Sequence, residues 1–163
     1  QPVAVVELEV IQALLDAGAV VIACGGGGVP VLRRPDGSLQ GVEAVVDKDL
    51  AAARLAIEMR AARLLILTDV PGVAVDFGKP SARFLRRLTL TEFEGLLVRE
   101  TFSAGNMGPK VRAAYRFVHD SGGQATICDL DHAAAGLHGK AGTVIVPDDM
   151  TQLSLAVGPR DEA

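Results

Sequence analysis

Apolar and polar positions alternate along the chain in a pattern that predicts helices separated by short buried strands. A first helix is predicted over residues 3–17, where apolar residues recur at helical spacing and Gly18 follows as a stop. Its apolar face consists of Val6, Val10, Ile11, Leu14 and Leu15. The next segment, AVVIAC at residues 19–24, is continuously apolar and predicts a short buried strand.

The same alternation continues to the end of the chain. Helices are predicted for DKDLAAARLAIEMRAA, TLTEFEGLLV, MGPKVRAAYRFVHDSGG and DHAAAGLHG, and strands for RLLILTDV, QATICDL and GTVIVP. Asp47 is expected to cap the second helix and Thr91 to begin the third. The stretch RPDGSLQG, around Gly37, predicts a hairpin turn.

Buried strands that alternate with helices predict an α/β fold with a mainly parallel sheet covered on both faces. Ligands bind such sheets beyond the carboxyl ends of the strands. The loops at residues 25–30 and 68–79, and the loop before Lys110, are therefore the places where a site is expected.

Composition and charge narrow the class of protein. The chain has 163 residues, of which 49% are hydrophobic, and this suffices for one domain with a hydrophobic core. The net charge of −4, without a basic cluster, does not favour nucleic acid as a partner. No apolar run approaches the roughly 18 to 20 residues that span a bilayer, so no membrane association is predicted. Cys24 and Cys128 are expected to be reduced, buried thiols at strand ends in a cytoplasmic protein, and the three histidines lack metal-ligand spacing.

The run Gly25 to Gly28 is the first of four candidate chemical motifs. It matches neither the dinucleotide fingerprint, because Pro30 stands where a third glycine belongs, nor the phosphate-binding P-loop. The run is therefore either a tight structural turn or a cradle in which bare backbone amides bind a small oxyanion.

The other three motifs place charged residues at the ends of predicted elements. Lys48 and Lys110 lie in the first turns of two helices, where a cation is unfavourable unless it meets an anion such as phosphate. Each could also be an ordinary surface lysine. The loop LTDVPGVAVDFGKP follows a buried strand, where a nucleotide base and ribose could lie, or is a plain connection. Together the four motifs suit phosphoryl transfer, in which positioning and charge neutralisation dominate.

In this order, the segments VVIACGGGGVPV, GVEAVVDKDLAAA, LLILTDVPGV, FGKP, FSAGNMGPKVRAAYRFV and GKAGTVIVP resemble the carboxyl-terminal half of the carbamate kinases, in the amino acid kinase family. The resemblance implies an open αβα sandwich whose nucleotide-binding part spans residues 1–147. The tail at 148–163 has no clear periodicity, so it is expected to be poorly ordered. It implies reversible phosphate transfer between ATP and carbamate, giving ADP and carbamoyl phosphate, with Mg²⁺. It also implies a homodimer for the full-length protein, and a role in arginine fermentation.

The resemblance assigns roles residue by residue. Lys48 and Lys110 would neutralise the transferring phosphate and the ADP leaving group, and Asp49 would hold both lysines by charge pairing. Gly25 to Gly28 would lie beside the carbamate and the transferred phosphoryl group. The nucleotide site would be lined by Thr68, Asp69, Gly72, Val73, Phe77, Gly78 and Lys79, with Met107 and Gly108 shaping the loop that presents Lys110.

Departures from the family pattern leave alternatives open. Cys24 stands where relatives usually have serine, Ala74 where an aromatic residue often follows Gly-Val, and Phe77 where tyrosine is common. Family members are about twice as long, so the chain is not expected to turn over alone, and an apolar edge is expected to favour aggregation. The chain could instead be a binding module for nucleotide without chemistry. It could also act on another acceptor such as acetylglutamate, although the DKD motif favours carbamate.

Overall fold

A computed structural model describes residues 1–99, 102 and 107–150 of the chain. Most of the loop before Met107, and residues 151–163 of the expected tail, lie outside the described residues. The helices are α1 (Leu8–Asp16), α2 (Lys48–Glu58), α3 (Leu90–Arg99), α4 (Met107–Ser121) and α5 (Ala133–Leu137). The strands are β1 (Val31–Arg33), β2 (Leu39–Gly41), β3 (Arg63–Thr68), β4 (Ala74–Val75), β5 (Arg83–Phe84), β6 (Arg87–Thr89), β7 (Gln124–Asp129) and β8 (Thr143–Val146).

The central sheet has four strands in the order β3-β7-β8-β6. The β3–β7 and β6–β8 pairs are parallel, whereas β7 and β8 are antiparallel. The predicted α/β fold with a mainly parallel sheet is therefore confirmed. Because β8 runs against β7, its first residue, Thr143, lies opposite Ile127 near the carboxyl end of β7.

Helices pack on both faces of this sheet. On one face, α2, α3 and α4 enclose a core whose largest fully buried side chains include Phe93, Phe117, Ile127 and Ile145. On the other face α5 approaches so closely that a Cβ added at Gly136 would lie 2.5 Å from Cys128 Sγ. None of the helices in the described part of the chain is long and apolar enough to cross a membrane.

Side-chain caps set the starts of α2 and α3. The Asp47 carboxylate accepts hydrogen bonds from the backbone N–H groups of Asp49 and Leu50, at 2.9 and 3.1 Å, which confirms the expected cap. The expectation for Thr91 is wrong. Thr89 and Glu92 instead exchange side-chain to backbone bonds of 3.2 and 2.8 Å, a reciprocal capping box.

The first 45 residues are organised more loosely than the sheet. Helix α1 forms near the predicted place and stops before Gly18, but within it only Ile11 is buried. The hairpin of β1 and β2 forms around the predicted turn at Gly37. The predicted strand at 19–24 is wrong, because among the described residues no neighbouring strand pairs with it. An apolar run becomes a strand only when a partner satisfies its backbone groups. Cys24 is accordingly half-buried and outside any strand, whereas Cys128 is buried in β7.

Candidate active site

Two lysines and one carboxylate meet where the amino ends of α2 and α4 come together. Lys110 Nζ lies 3.0 Å from Asp49 Oδ2, and both side chains are buried, at 5 and 9% exposure. Lys48 Nζ lies 3.8 Å from the same oxygen, but the Lys48 side chain is 56% exposed. One carboxylate therefore holds a buried cation and an exposed one, and the three side chains carry a net positive charge.

The local sequence explains how these side chains are brought together. The Asp47 cap starts α2, so that Lys48 and Asp49 occupy its first turn. Pro109 lies in the first turn of α4, where its missing N–H costs nothing. Gly108 lets this turn pack closely, since an added Cβ would be 2.7 Å from the Phe102 carbonyl oxygen. The Asp47 carboxylate uses two amides at the start of α2, so a ligand there would meet Lys48 rather than those amides.

The glycine run combines one tightly packed position with open ones. Gly27 has a φ of 134°, and a Cβ there would lie 1.9 Å from the Val46 carbonyl oxygen, so glycine is required by the chain's own backbone. At Gly25 and Gly26, by contrast, an added Cβ would meet nothing within 4 Å. The structural explanation thus holds at Gly27, while the two preceding residues leave space for a ligand.

The glycine run and Lys48 share one groove. Gly25, Cys24 and Lys48 line an open groove of about 370 Å³ that runs between α1 and α2. Cys24 has a φ of 62°, which is unusual for a residue with a side chain. Partial burial, and then the charge of Glu7, raises the pKa of the Cys24 thiol, so the neutral form is favoured. Activated thiol nucleophiles, by contrast, have a lowered pKa.

Two carboxylates lie at the carboxyl ends of β3 and β7. Thr68, the last residue of β3, donates a 3.1 Å hydrogen bond to Asp69 and is opposite Asp129 in the sheet. Asp129 Oδ1 accepts from the His132 backbone at 3.0 Å and lies 2.6 Å from His132 Nδ1. These hydrogen bonds, chiefly that from the His132 side chain, lower the pKa of Asp129. Polar groups therefore gather at the edge where parallel strands usually bind ligands.

The hairpin of β4 and β5 extends from the same edge. Gly72 and Val73 are buried at its neck, whereas Phe77, Gly78 and Lys79 lie exposed at its tip. Asp76 has a φ of 54° and accepts hydrogen bonds from Lys79 Nζ at 2.7 Å and Ser81 Oγ at 3.1 Å. The Lys79 bond, and then that of Ser81, lowers the pKa of Asp76. The tip is thus fixed by its own side chains.

The predicted site residues therefore fall into two groups in the structure. Lys48 and Lys110 each pair with Asp49, and Gly25 shares the groove of Lys48. Thr68, Asp69 and the hairpin residues form a second group at the strand ends, and Met107 and Gly108 begin α4 beside the lysine cluster.

Two features were missed by sequence reasoning. The carbonyl of Val46 gives no sequence signal, because any residue carries one. Asp76 could have been found from its spacing of three residues to Lys79, which suits a side-chain pair in a turn.

Comparison with known proteins places this chain in a family. The family model of the amino acid kinase family matches residues 1–129. Carbamate kinase of Thermococcus kodakarensis is 49% identical over 141 residues, 86% of this chain and 44% of that protein. Carbamate kinase of Thermoplasma volcanium is 44% identical over 90% of this chain and 48% of its own length. The chain thus spans about half the length of the curated relatives it matches.

A solved structure agrees with the sequence relatives. Carbamate kinase from Giardia lamblia bound to AMP-PNP superposes with a TM-score of 0.87 and 41% identity, over 91% of this chain and 52% of that one. Both kinds of comparison cover the glycine run, the lysine cluster and the strand-end loops. The chain belongs to the amino acid kinase family.

Proposed function

We propose that the chain is the nucleotide-binding part of a carbamate kinase, in which phosphate passes reversibly between ATP and carbamate to give ADP and carbamoyl phosphate. The observation that carries this proposal is the contact of Lys48 and Lys110 with Asp49. Relatives named carbamate kinase, at 49 and 44% identity, support carbamate as the acceptor. The activity is proposed for the whole protein, because the chain spans about half the length of these relatives.

The lysine cluster would act by positioning positive charge. Phosphoryl transfer depends mainly on orientation and on neutralising the charge of the phosphate oxygens. Lys48 is exposed and can reach the transferring group, whereas Lys110 is buried and fixed by Asp49. Asp49 would therefore be a positioning residue that keeps both ammonium groups on one side of the phosphate.

The remaining site residues would hold the two substrates. Gly25 and Gly26 leave open space beside the groove of Lys48, so a small planar carbamate could approach the backbone there. Thr68, Asp69 and the hairpin of β4 and β5 would border the nucleotide. The AMP-PNP complex of the Giardia lamblia relative supports a nucleotide site in this fold.

Magnesium would enter with the nucleotide. Among the described residues, no three His, Cys, Asp or Glu side chains form a group that could hold a metal ion. Mg²⁺ is usually bound through substrate phosphates, water and one or two carboxylates, so the proposal needs no metal site made of protein side chains alone. When bound, the ion would supply further neutralisation of the phosphate charge.

We further propose that the whole protein is a cytoplasmic homodimer in arginine catabolism.

Calorimetric titration of the chain with Mg-ADP tests the nucleotide site. We expect saturable binding that weakens at least tenfold in Lys48→Ala and in Lys110→Ala, because each substitution removes a cation from the phosphate position. Lys140→Ala, which removes an exposed lysine outside the site, is the matched control and should bind like the wild type. Equal affinity in all four proteins would contradict the assigned roles.

Acceptor identity needs the full-length protein. We expect ATP synthesis from ADP and carbamoyl phosphate, and loss of most of that rate in Lys110→Ala. Acetylglutamate, aspartate and nucleoside monophosphates should be poor acceptors in the reverse assay with ATP. A higher rate with any of them would replace carbamate as the proposed acceptor, and nucleotide binding without turnover would indicate a binding module.

A further inference from the structure

Thr143 is a fully buried polar residue that the lysine mechanism does not use. It begins β8 and has 0% exposure. Because β8 runs antiparallel to β7, this first residue lies at the sheet edge where β3 and β7 end. A buried hydroxyl is costly unless it is hydrogen-bonded, so its partners show what it holds.

The Thr143 hydroxyl joins the sheet to both sides of the hairpin neck. Its O–H donates a 2.6 Å hydrogen bond to the Leu85 carbonyl oxygen, and its oxygen accepts a 2.9 Å bond from the Val73 N–H. Val73 and Leu85 are themselves linked, since the Leu85 N–H donates to the Val73 carbonyl oxygen at 2.8 Å. One side chain therefore fixes the point where the hairpin leaves the core.

The backbone around Thr143 is shaped to allow this contact. A Cβ added at Gly72 would lie 2.6 Å from Thr143 Oγ1 and 3.0 Å from the Thr143 nitrogen, so the incoming loop packs directly on this residue. Gly142 has a φ of 79°, and a Cβ there would meet the Ile127 carbonyl oxygen at 2.4 Å. Glycine is thus needed both at Gly72, which packs on Thr143, and at Gly142, which precedes it.

The hairpin itself is too small to set its own position over the sheet. β4 and β5 have two residues each, and their paired residues are Ala74 with Phe84 and Val75 with Arg83. The tip is held internally by Asp76, but that arrangement fixes only the shape of the turn. Short two-stranded hairpins are marginal without packing against other elements. The orientation of the tip therefore depends on how the neck is anchored.

We propose that Thr143 is a positioning residue for nucleotide binding. Its hydroxyl holds the Val73 and Leu85 backbones, so that the β4–β5 hairpin takes the position over the sheet that nucleotide binding requires. This inference rests on the proposed function, which places the nucleotide beside this hairpin. Thr143 itself would contact neither the nucleotide base nor its phosphates. Its effect passes through the two backbone groups to the hairpin residues.

A pair of substitutions at Thr143 separates the hydroxyl from the volume of the side chain. Thr143→Val keeps the shape and leaves the Val73 N–H and Leu85 carbonyl without their partner. Thr143→Ser keeps the hydroxyl and removes only a methyl group. Thr126→Val is the matched control, because Thr126 is a buried threonine of β7 that, among the described residues, makes no hydrogen bond to the hairpin.

Amide hydrogen exchange and Mg-ADP titration, measured on the same chains, test the proposal. In Thr143→Val we expect the Val73 and Leu85 amides to exchange at least tenfold faster, and Mg-ADP to bind at least tenfold more weakly. Thr143→Ser should stay within about threefold of the wild type in both measurements, and Thr126→Val should leave the two hairpin amides and the affinity unchanged.

The remaining outcomes contradict either this inference or the proposed nucleotide site. Faster hairpin exchange with unchanged Mg-ADP affinity would show that Thr143 is only structural. Unchanged exchange at Val73 would show that the hydroxyl does not anchor the neck. A wild-type chain that does not bind Mg-ADP would overturn the proposed nucleotide site and this inference with it, whereas equal binding by the wild type and Thr143→Val would overturn this inference alone.

Discussion

Many apolar side chains of residues 3–45 are exposed, whereas the apolar side chains of the sheet that follows are mostly buried. In the first region Val20, Ile22 and Val45 are 95 to 97% exposed, whereas Phe117 and Ile145 in the second are fully buried. Both regions contain runs of apolar residues, and they differ in whether another element covers those runs. A strand or an apolar helix face becomes core only when another element covers it.

The exposed region has a definite form. Val6, Val10 and Leu14 follow one another at intervals of four residues on or beside α1, so they form a stripe along one side of the helix. Contiguous apolar surface of this kind marks a place where other polypeptide packs, or where molecules associate non-specifically. The sheet therefore buries most of its apolar side chains within the described residues, whereas the first region leaves an apolar stripe exposed.

The largest expected effect distinguishes the two regions directly. Phe117→Ala should lower the free energy of unfolding by about 3 to 5 kcal/mol, because it opens a cavity in the core of α4 and the sheet. Val10→Ala, on the exposed stripe of α1, should change it by less than about 0.5 kcal/mol. Urea unfolding followed by circular dichroism measures both. Similar losses in the two variants would show that α1 is buried in solution.

The buried charge pair gives the next largest effect. Asp49→Ala should cost about 3 kcal/mol, the lower end for a broken buried pair, because it leaves the buried Lys110 without its carboxylate partner. The double variant Asp49→Ala with Lys110→Met should recover part of this loss, since no buried charge then remains. Chemical denaturation of Asp49→Ala, Lys110→Met and the double variant decides this. If the double variant lost more stability than the two single variants lose together, the buried pair would not be the cause.

Two neighbouring glycines separate structural need from open space. Gly27→Ala should destabilise by about 2 kcal/mol, because the new Cβ would meet the Val46 carbonyl and the residue has a positive φ. Gly26→Ala should be neutral or slightly stabilising, because nothing lies within 4 Å of its added Cβ. Thermal unfolding of the two variants measures the contrast. A loss in Gly26→Ala as large as in Gly27→Ala would indicate that the whole run is structural.

The smallest effect on stability belongs to the unpaired segment at 19–24. The double variant Val20→Thr with Ile22→Thr should change the free energy of unfolding by less than about 0.5 kcal/mol, because both side chains are already exposed. The same variant should self-associate less than the wild type, since it removes apolar surface. Sedimentation velocity at several protein concentrations tests this. Unchanged self-association would show that a different surface is responsible for it.

Much of the fold was predictable because local signals and tertiary packing agree there. The Asp47 cap, Pro109 in the first turn of α4 and the alternation in β3 and β7 all act over a few residues. The segment at 19–24 was not predictable, because strand pairing depends on a partner that the local sequence does not contain. The start of α3 was misassigned because Thr89 and Thr91 offer nearly equal local signals. In the fold Thr89 forms the cap, whereas the N–H and hydroxyl of Thr91 donate to the carboxylate of the distant Asp148.

The candidate site divides in the same way. Charges at helix starts pointed to Lys48, Asp49 and Lys110, and these do meet in space. Their functional roles remain predictions. The contact of Gly27 with Val46 was not predictable, because it joins backbone to backbone and leaves no mark in the choice of Val46. Thr143 was hidden for a related reason, as both its partners are backbone groups.

The pairing of Asp49 with Lys110 also has a consequence for folding kinetics. The two residues are 61 positions apart, so the contact can form only after a long loop has closed and α2 has docked on α4. Such a contact is expected to be absent from an early transition state. Asp49→Asn should therefore speed unfolding much more than it slows folding, which stopped-flow chevrons can resolve. The cluster of Lys48, Asp49 and Lys110, which is proposed to act in phosphoryl transfer, would then also form late in folding and set the lifetime of the folded state.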